Sequence, residues 1–159
     1  DFRRIGLVRD PYNFGTTTVA SADTRRQLYA TVFSSVSGTF TADEEINQAT
    51  TGAVGKVVEY DATNKILYYY QTRFPDVGTD TNGNLTAFSG ANAITGQSSS
   101  AAATPNTSNS TTTNGVVFSS GYSNPELAFD SGDIIYVEER SPITRASDQT
   151  ENIKLIVEF

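Results

Sequence analysis

Hydrophobic and polar residues alternate along this chain in short runs, and this alternation predicts strands. Residues 4–8 (RIGLV) form the first run, and Pro11 and Gly15 in the segment that follows are typical of a turn. No window of eleven or more residues keeps the apolar spacing of an amphipathic helix. The pattern therefore favours strands over helices throughout.

Residues 27–36 (QLYATVFSSV) predict a second strand. Tyr29, Thr31 and Phe33 fall on one face of it, and small or aliphatic residues fall on the other. We therefore expect a strand with one aromatic face. A short helix over residues 23–29 is the alternative.

The clearest predicted hairpin lies in the middle of the chain. Two β-rich runs, residues 56–60 and 65–72, flank the tetrapeptide 61–64 (DATN), and Asp and Asn tolerate the backbone conformations of a tight reversal. Further strands are predicted at residues 116–119, 133–140 and 152–159, and a further turn at Asn82-Gly83. Short strands separated by regular turns are typical of an antiparallel sandwich or barrel.

An uncharged segment, residues 96–115 (GQSSSAAATPNTSNSTTTNG), interrupts this pattern. It holds almost no bulky apolar side chain, so burial would not offset the entropy lost on ordering it, and we expect a long exposed Ser/Thr-rich loop. We predict an all-β protein whose antiparallel sandwich- or barrel-like core domain is formed by both chain ends, residues 1–37 plus 116–159. Residues 38–115 would be an inserted β-hairpin module that carries the low-complexity loop.

A faint internal repeat relates two parts of this middle region. Residues 40–53 (FTADEEINQATTGA) align without gaps to residues 88–101 (FSGANAITGQSSSA). Phe, Ser or Thr, Ile and a final Ala recur at equivalent positions. The pattern predicts a β-arch used twice, and chance similarity between two Ser/Thr-rich segments is the alternative.

Composition narrows the function mainly through what is missing. The chain of 159 residues has no Cys and no His, which excludes thiolate nucleophiles, Cys/His zinc sites, Ser-His-Asp triads and disulfides. Its net charge of −7 and scattered arginines argue against binding nucleic acid through phosphates. It has no signal segment and no apolar stretch of membrane-spanning length. Because it starts without Met at a predicted strand, we expect a C-terminal fragment of a longer protein.

Two acidic clusters are candidates for carboxylate chemistry. Asp43, Glu44 and Glu45 form one, and Glu138 and Glu139 form the other. Glycoside hydrolysis needs two carboxyl groups about 5–10 Å apart in a cleft. Consecutive acids on a strand point to opposite faces, so a charged surface is favoured over a catalytic pair.

Three consecutive tyrosines, Tyr68, Tyr69 and Tyr70, are a candidate stacking face for sugars. On a strand Tyr68 and Tyr70 share one face, and core packing with cross-strand pairing accounts for them without a ligand. A carbohydrate-binding or adhesin-type β module is therefore the alternative function. The segment 76–84 (DVGTDTNGN) fits no register of a calcium loop, which leaves a solvated turn. We expect no metal and no other cofactor.

The two chain ends resemble a known family. Residues 131–159 contain a Gly, an apolar Ile-Tyr strand, a Glu-x-Arg-x-Pro-Ile turn, Asp-Gln-Thr-Glu and a closing strand that ends in Phe; residues 2–12 (FRRIGLVRDPY) contain a Phe-Arg-x-Ile strand and a Pro turn. In these motifs the chain resembles the C-terminal domain of the baseplate wedge protein of T-even-type contractile-tailed bacteriophages. Its long middle, residues 37–115, is similar to the elaborated versions in marine, cyanophage-like relatives.

The resemblance implies a structural protein of the virion tail baseplate, without enzymatic activity, that is assembled in the host bacterial cytoplasm. The implied partners are other baseplate wedge proteins, with a homodimer of the full-length protein, and neither nucleic acid nor a membrane. The family-signature loop is a candidate interface and comprises Glu138, Arg140, Pro142, Arg145, Asp148, Gln149 and Glu151. We expect residues 152–159 to pair with residues 133–139.

Overall fold

The structure, a computed structural model, describes residues 3–21, 25–72, 77–128 and 131–140. Within these residues the chain forms eleven strands and no helix, which confirms the predicted all-β class. The strands are β1 (Arg3–Arg9), β2 (Tyr29–Ser37), β3 (Glu45–Gln48), β4 (Ala53–Asp61), β5 (Ile66–Tyr70), β6 (Ile94–Gly96), β7 (Ala102–Pro105), β8 (Thr112–Thr113), β9 (Val116–Val117), β10 (Tyr122–Ser123) and β11 (Asp133–Arg140).

Six of these strands close into a ring. Their hydrogen-bonded order is β2-β5-β4-β3-β6-β7, and β7 pairs back with β2. Closure is achieved because the first part of β2 pairs with β5 while the part from Phe33 to Ser37 pairs with β7. All pairings in the ring are antiparallel. A closed ring has no free strand edge, so it does not offer its backbone to other chains.

The interior of the ring is the larger hydrophobic core. It is built from residues of all six strands and of the arches between them: Phe33, Phe40, Ile46, Ala53, Val57, Leu67, Tyr69, Phe88, Ile94, Ala101 and Ala103. The aromatic face predicted for β2 is confirmed, since Phe33 is buried here and Tyr29 packs against the cluster. Tyr69 stacks on Tyr29 with ring centroids 5.6 Å apart. Such a pair contributes about 0.5–1.5 kcal/mol beyond the area it buries.

The outer face of β2 and β5 carries a second, smaller core. Ala30, Val32 and Ile66 are covered there by Val116 and Phe118. Val116 lies in the second strand of the β8–β9 hairpin, and Phe118 follows that strand. The two turn residues of the hairpin both have positive φ, as a two-residue type I′ turn requires. The chain that follows the ring therefore folds back over its outside.

The predicted hairpin between residues 56–60 and 65–72 is confirmed as β4–β5. The Asp61 carboxylate organises its turn by accepting hydrogen bonds from the backbone N–H of Thr63 at 2.9 Å and of Asn64 at 3.0 Å. The Asn64 side chain adds a third bond at 2.7 Å. These hydrogen bonds hold the pKa of Asp61 below its usual value, and the bond from the Asn64 side chain contributes most. Local side-chain chemistry thus selects this reversal.

The Ser/Thr-rich segment differs from the long exposed loop that the sequence suggests. Residues 102–105 form β7, and Ala101 and Ala103 are buried. The expectation was wrong for this stretch because small side chains let backbones approach closely: a Cβ at Gly38, whose φ is +80°, would lie 3.2 Å from the Ala101 Cα. Hydrogen bonds from β7 to β2 and β6 supply the stabilisation that side-chain volume does not.

Strands β1 and β11, from opposite ends of the chain, form a separate two-stranded ribbon. Their antiparallel register runs from Arg3 opposite Arg140 to Arg9 opposite Asp133, with a bulge that leaves Ile135 between pairs. Backbone hydrogen bonds between residues 12–14 and 126–128 continue the pairing beyond the base of the ribbon. The backbone N–H groups of Glu126 and Leu127 also donate to the Arg26 carbonyl, which joins this region to the segment before β2. The two ends of the described chain are therefore neighbours.

The division into an end-formed domain and an insertion stays a prediction. Strand β2, assigned to the end-formed domain, pairs with β5 and β7 of the predicted insertion. The outer core likewise joins Ile66 to Val116 and Phe118. Both contacts cross the predicted boundaries. The predicted strand at residues 152–159 lies outside the described residues.

Candidate assembly surface

The ribbon exposes apolar side chains on both of its faces. Ile5 and Leu7 share one face with Tyr136, whereas Val8, Ile134 and Val137 belong to the other. Together with Ile135, these side chains are exposed to between 48% and 70%. Isolated two-stranded ribbons are marginally stable in water, and contiguous exposed apolar surface marks interaction sites. The ribbon is therefore suited to being covered.

Charged residues mark one end of this apolar surface. An Arg9 guanidinium nitrogen lies 2.9 Å from an Asp133 carboxylate oxygen, and a second one lies 3.7 Å from Asp10. Both partners of the Arg9–Asp133 pair are mostly exposed, so the pair contributes only about 0–1 kcal/mol. The pair joins β1 to β11 at the base of the ribbon.

The two predicted acidic clusters lie in different sheets. Glu44 precedes β3 of the ring and Glu45 begins it, whereas Glu138 and Glu139 lie on β11 of the ribbon. In the portion of the chain that the structure describes, no three His, Cys, Asp or Glu side chains are grouped as a metal site would require. The acids are therefore distributed between two separate elements.

The Glu44 carboxylate is buried and serves a neighbouring turn. It accepts hydrogen bonds from the Ser99 backbone N–H at 2.9 Å, the Ser99 hydroxyl at 2.8 Å, the Ser98 N–H at 3.2 Å and the Thr41 N–H at 2.7 Å. Burial opposes ionisation of Glu44, but these hydrogen bonds outweigh it and lower its pKa. A carboxylate held in this way is a structural anion. Sequence reasoning missed the role, because the Ser98 and Ser99 donors lie on another arch more than 50 residues along the chain.

The three candidate stacking tyrosines are divided between two faces of β5, as the alternation predicts. Tyr69 is buried in the ring, where its ring centroid lies 4.9 Å from that of Phe88. Burial raises the pKa of its hydroxyl. Tyr68 packs against the outer core, and both it and Tyr70 are partly exposed. Only Tyr68 and Tyr70 remain accessible to a ligand.

Tyr68 lines an open groove of about 500 Å³ with Arg25, Arg26, Asn114 and Glu126 among its walls. The Arg26 guanidinium is hydrogen-bonded to other residues of the chain. It donates to the Leu28 carbonyl, to the Ser123 hydroxyl at 2.8 Å and to the Asn124 carbonyl at 2.9 Å.

Burial lowers the pKa of Arg26, and the charge of Glu126 opposes this. The Glu126 carboxylate also accepts the Arg26 backbone N–H at 2.8 Å. Arg26 therefore connects the segment before β2 to the segment that leads to the ribbon. The sequence offered no signal for this beyond the Arg25-Arg26 pair.

The signature loop lies mostly outside the described residues. Glu138 lies on β11 opposite Ile5, and the backbone of Arg140 pairs with that of Arg3. The other members, Pro142, Arg145, Asp148, Gln149 and Glu151, fall beyond the described part. In the described ranges, no helix is both long and apolar enough to cross a membrane.

Comparison with known proteins identifies the family of the chain. The model of the family described as Bacteriophage T4, Gp8 matches residues 63–159, which is more than half of the chain and includes β5 to β11 and the whole signature segment. No curated protein and no solved structure matches the chain. The family resemblance predicted from residues 131–159 is thereby confirmed, while the likeness to marine relatives stays a prediction. The chain belongs to the Gp8 family of T4-type phage baseplate wedge proteins, which are structural components of the virion tail.

Proposed function

We propose that this chain is a passive scaffold that holds sister proteins of the baseplate wedge through its β1–β11 ribbon. One observation carries the proposal: a closed ring buries its own core, while a ribbon joined to it leaves apolar side chains uncovered on both faces. Membership of a baseplate wedge family supports a neighbouring wedge protein as the partner.

The distribution of apolar and charged residues on the ribbon also supports a protein partner. The ribbon has an apolar centre and charged residues towards its ends, which is the arrangement of a protein interface with an apolar core and a polar rim. Full burial of a Val, Leu or Ile contributes about 1.5–3 kcal/mol, so covering the exposed part of each would contribute roughly 1 kcal/mol. Association costs about 4–15 kcal/mol. Binding of a partner therefore requires that several exposed apolar side chains of the ribbon are covered together, because a single one contributes too little.

The proposal includes an absence of catalysis. The Glu44 carboxylate is occupied by four hydrogen bonds, and the second acidic cluster lies in another sheet. A structural baseplate family supports the same conclusion.

We further propose a homodimer of the full-length protein, no binding to nucleic acid or membrane, assembly in the host cytoplasm and a contribution of the signature loop to the interface. The net charge of −7 supports the absence of phosphate binding. The family resemblance supports the remaining points.

Native mass spectrometry of the complete protein with candidate wedge proteins tests the proposal. Val137→Thr on the ribbon removes apolar surface without changing shape, and we expect it to weaken the complex, with a larger loss when Leu7→Asn is added. Val117→Thr is the matched control, because Val117 is exposed to 69% and Val137 to 62%, but Val117 lies on β9. Complexes that ignore both ribbon changes, or a complete protein that binds no partner, would contradict the proposal.

The groove beside Tyr68 favours a second candidate function, binding of a carbohydrate. An accessible aromatic ring next to Asn114 and Glu126 combines a stacking surface with polar groups for hydroxyls. A glycan array with the chain and its Tyr68→Ala variant decides this point. Specific sub-millimolar binding that the variant loses supports the candidate, and an array without signal removes it.

A further inference from the structure

The repeated segments 40–53 and 88–101 occupy matching places in the ring. Superposing them places β3 on β6 and the start of β4 on β7. The Phe, Ile and Ala that recur in both are buried in the same interior core: Phe40 and Phe88, Ile46 and Ile94, Ala53 and Ala101. The two segments therefore share their structure as well as their sequence pattern.

The pairing of the two segments has the register of a two-fold axis. Strands β3 and β6 are antiparallel, and Asn47 lies opposite Thr95, which is its own equivalent 48 residues along the chain. The Thr95 hydroxyl donates a hydrogen bond of 2.7 Å to the Asn47 side-chain oxygen across this point. A two-fold axis relating the two segments therefore passes through the Asn47–Thr95 pair.

The opposite side of the ring obeys the same symmetry, although its strands lie outside the sequence repeat. Strand β7 places Pro105 opposite Phe33, and β4 places Val57, the equivalent of Pro105, opposite Tyr69. Phe33 and Tyr69 are thus equivalent, and so are the residues two positions before them, Thr31 and Leu67. Those two are paired with each other in the register of β2 and β5.

Equivalent packing and turns accompany the register. Phe33 stacks on Phe40 with centroids 5.8 Å apart, and the equivalent pair Tyr69 and Phe88 is in contact at 4.9 Å. In the turns, the Thr51 hydroxyl accepts the N–H two residues later at 3.2 Å, and the equivalent Ser99 hydroxyl does the same at 3.1 Å. Gly52 has a φ of 77° and its equivalent Ser100 a φ of 58°, a region that non-glycine residues seldom adopt.

We infer that the ring is a duplicated three-strand unit, β2-β3-β4 followed by β5-β6-β7, whose copies are related by a pseudo-two-fold axis. The axis passes between Asn47 and Thr95 on one side of the ring and between Thr31 and Leu67 on the other. Within each copy the second and third strands pair with each other, as β3–β4 and β6–β7. The first strand of each copy, β2 or β5, has both of its ring partners in the other copy.

The two copies differ in sequence at positions where a long side chain of one copy fits beside a short residue of the other, and this explains why the sequence repeat is faint. Glu44 in the first copy reaches the turn at Ser99 in the second, and its equivalent, Asn92, is shorter. Gln48 in the first copy donates to the Asn92 carbonyl at 2.8 Å. The equivalent of Gln48 is Gly96, where a Cβ would lie 2.6 Å from the Glu44 carboxylate. One copy thus provides long polar side chains and the other provides the space for them.

Exchange of the two segments within the 159-residue chain tests the inference. A two-fold axis converts each contact between the segments into the contact with the roles reversed, so the exchanged chain keeps those contacts. We expect it to fold with the same circular dichroism spectrum and a lower Tm, because the Gln48–Tyr122 hydrogen bond of 3.3 Å is lost. In the control, residues 89–102 are placed at positions 40–53, and residues 41–54 are placed at positions 88–101. This shift by one residue directs the side chains of each strand to the opposite face of the sheet. Exchanged and control chains that are equally unfolded would overturn the inference.

A pair of small exchanges keeps the test informative if long replacements are poorly tolerated. Asn47→Thr with Thr95→Asn exchanges two equivalent residues on the axis, and we expect a Tm within about 2 °C of the parent. Glu44→Ser with Ser99→Glu exchanges two residues that are in contact but not equivalent, and we expect a loss of more than about 4 °C. A loss at the axis as large as the loss off the axis would count against the duplication.

Discussion

The closed ring and the β1–β11 ribbon are both antiparallel, but the ring buries its apolar side chains and the ribbon exposes them. In the ring, alternation directs one set of side chains into a shared interior, and hydrophobic residues such as Ile46 and Leu67 are fully buried. In the ribbon, apolar residues alternate onto both faces and stay about half exposed or more. The ring buries its own interior core, whereas an isolated two-stranded ribbon with exposed apolar side chains is only marginally stable in water.

Replacing one isoleucine in each region gives the largest expected contrast. Ile46→Ala removes a side chain with 0% exposure from the ring and should lower the free energy of unfolding by about 2–5 kcal/mol. Ile134→Ala removes one with 70% exposure from the ribbon and should cost less than about 1 kcal/mol in folding while weakening assembly. Urea denaturation measures the first effect and native mass spectrometry the second. Similar costs in urea would show that the ribbon is already packed in the isolated protein.

Two glycines provide a sharper version of the same comparison. A Cβ at Gly96 would lie 2.6 Å from both the Glu44 carboxylate and the Ser99 hydroxyl, so Gly96→Ala should destabilise the ring by about 1–3 kcal/mol. A Cβ at Gly6 would meet nothing within 4 Å, and Gly6→Ala should leave stability unchanged or slightly raised. Thermal denaturation of both variants checks this. A neutral Gly96→Ala would mean that Glu44 can leave its position without loss.

The sequence predicted local structure well wherever alternation or turn chemistry was strong. The aromatic face of β2 and the Asp61 turn follow from side chains a few residues apart, and both were found as expected. The strand predicted at residues 133–140, which contain four consecutive apolar residues, is β11.

What the sequence did not predict depends on distant pairing. Closure of the ring rests on β2 changing its partner from β5 to β7, and neither register is visible in the residues themselves. The burial of Ala101 and Ala103 was missed because small side chains give little hydrophobic signal and acquire their packing from β2 and β6. The hydrogen bonds of Glu44 reach 55 residues along the chain to Ser99. The candidate interface was predicted from the signature motif, whereas its apolar part required the β1–β11 pairing.

Acid should weaken the ring through Glu44. Its pKa is lower in the folded chain than in the unfolded chain, so the unfolded chain binds its proton more tightly. The stabilisation is complete above the unfolded pKa and is lost as the pH falls through the folded pKa. Glu44→Gln should lower stability at pH 7 by about 1–3 kcal/mol and flatten the dependence on pH in this acidic range. Chemical denaturation between pH 2 and 7 measures this, with Glu45→Gln as the exposed neighbouring control; equal pH profiles for parent and Glu44→Gln would contradict it.

The smallest expected effect lies at the base of the ribbon and separates it from the ring in its response to salt. Arg9→Gln removes the ion pair of 2.9 Å with Asp133, and because both side chains are mostly exposed the loss should be under about 1 kcal/mol at low salt. At 1 M salt the Debye length is only about 3 Å, so the difference between variant and parent should largely disappear. Glu44 is buried, so the cost of Glu44→Gln in the ring should change much less over the same range of salt. Thermal denaturation at both salt concentrations compares the two variants, and a cost of Arg9→Gln that persists at high salt would show that Arg9 acts through packing of its stem and not through its charge.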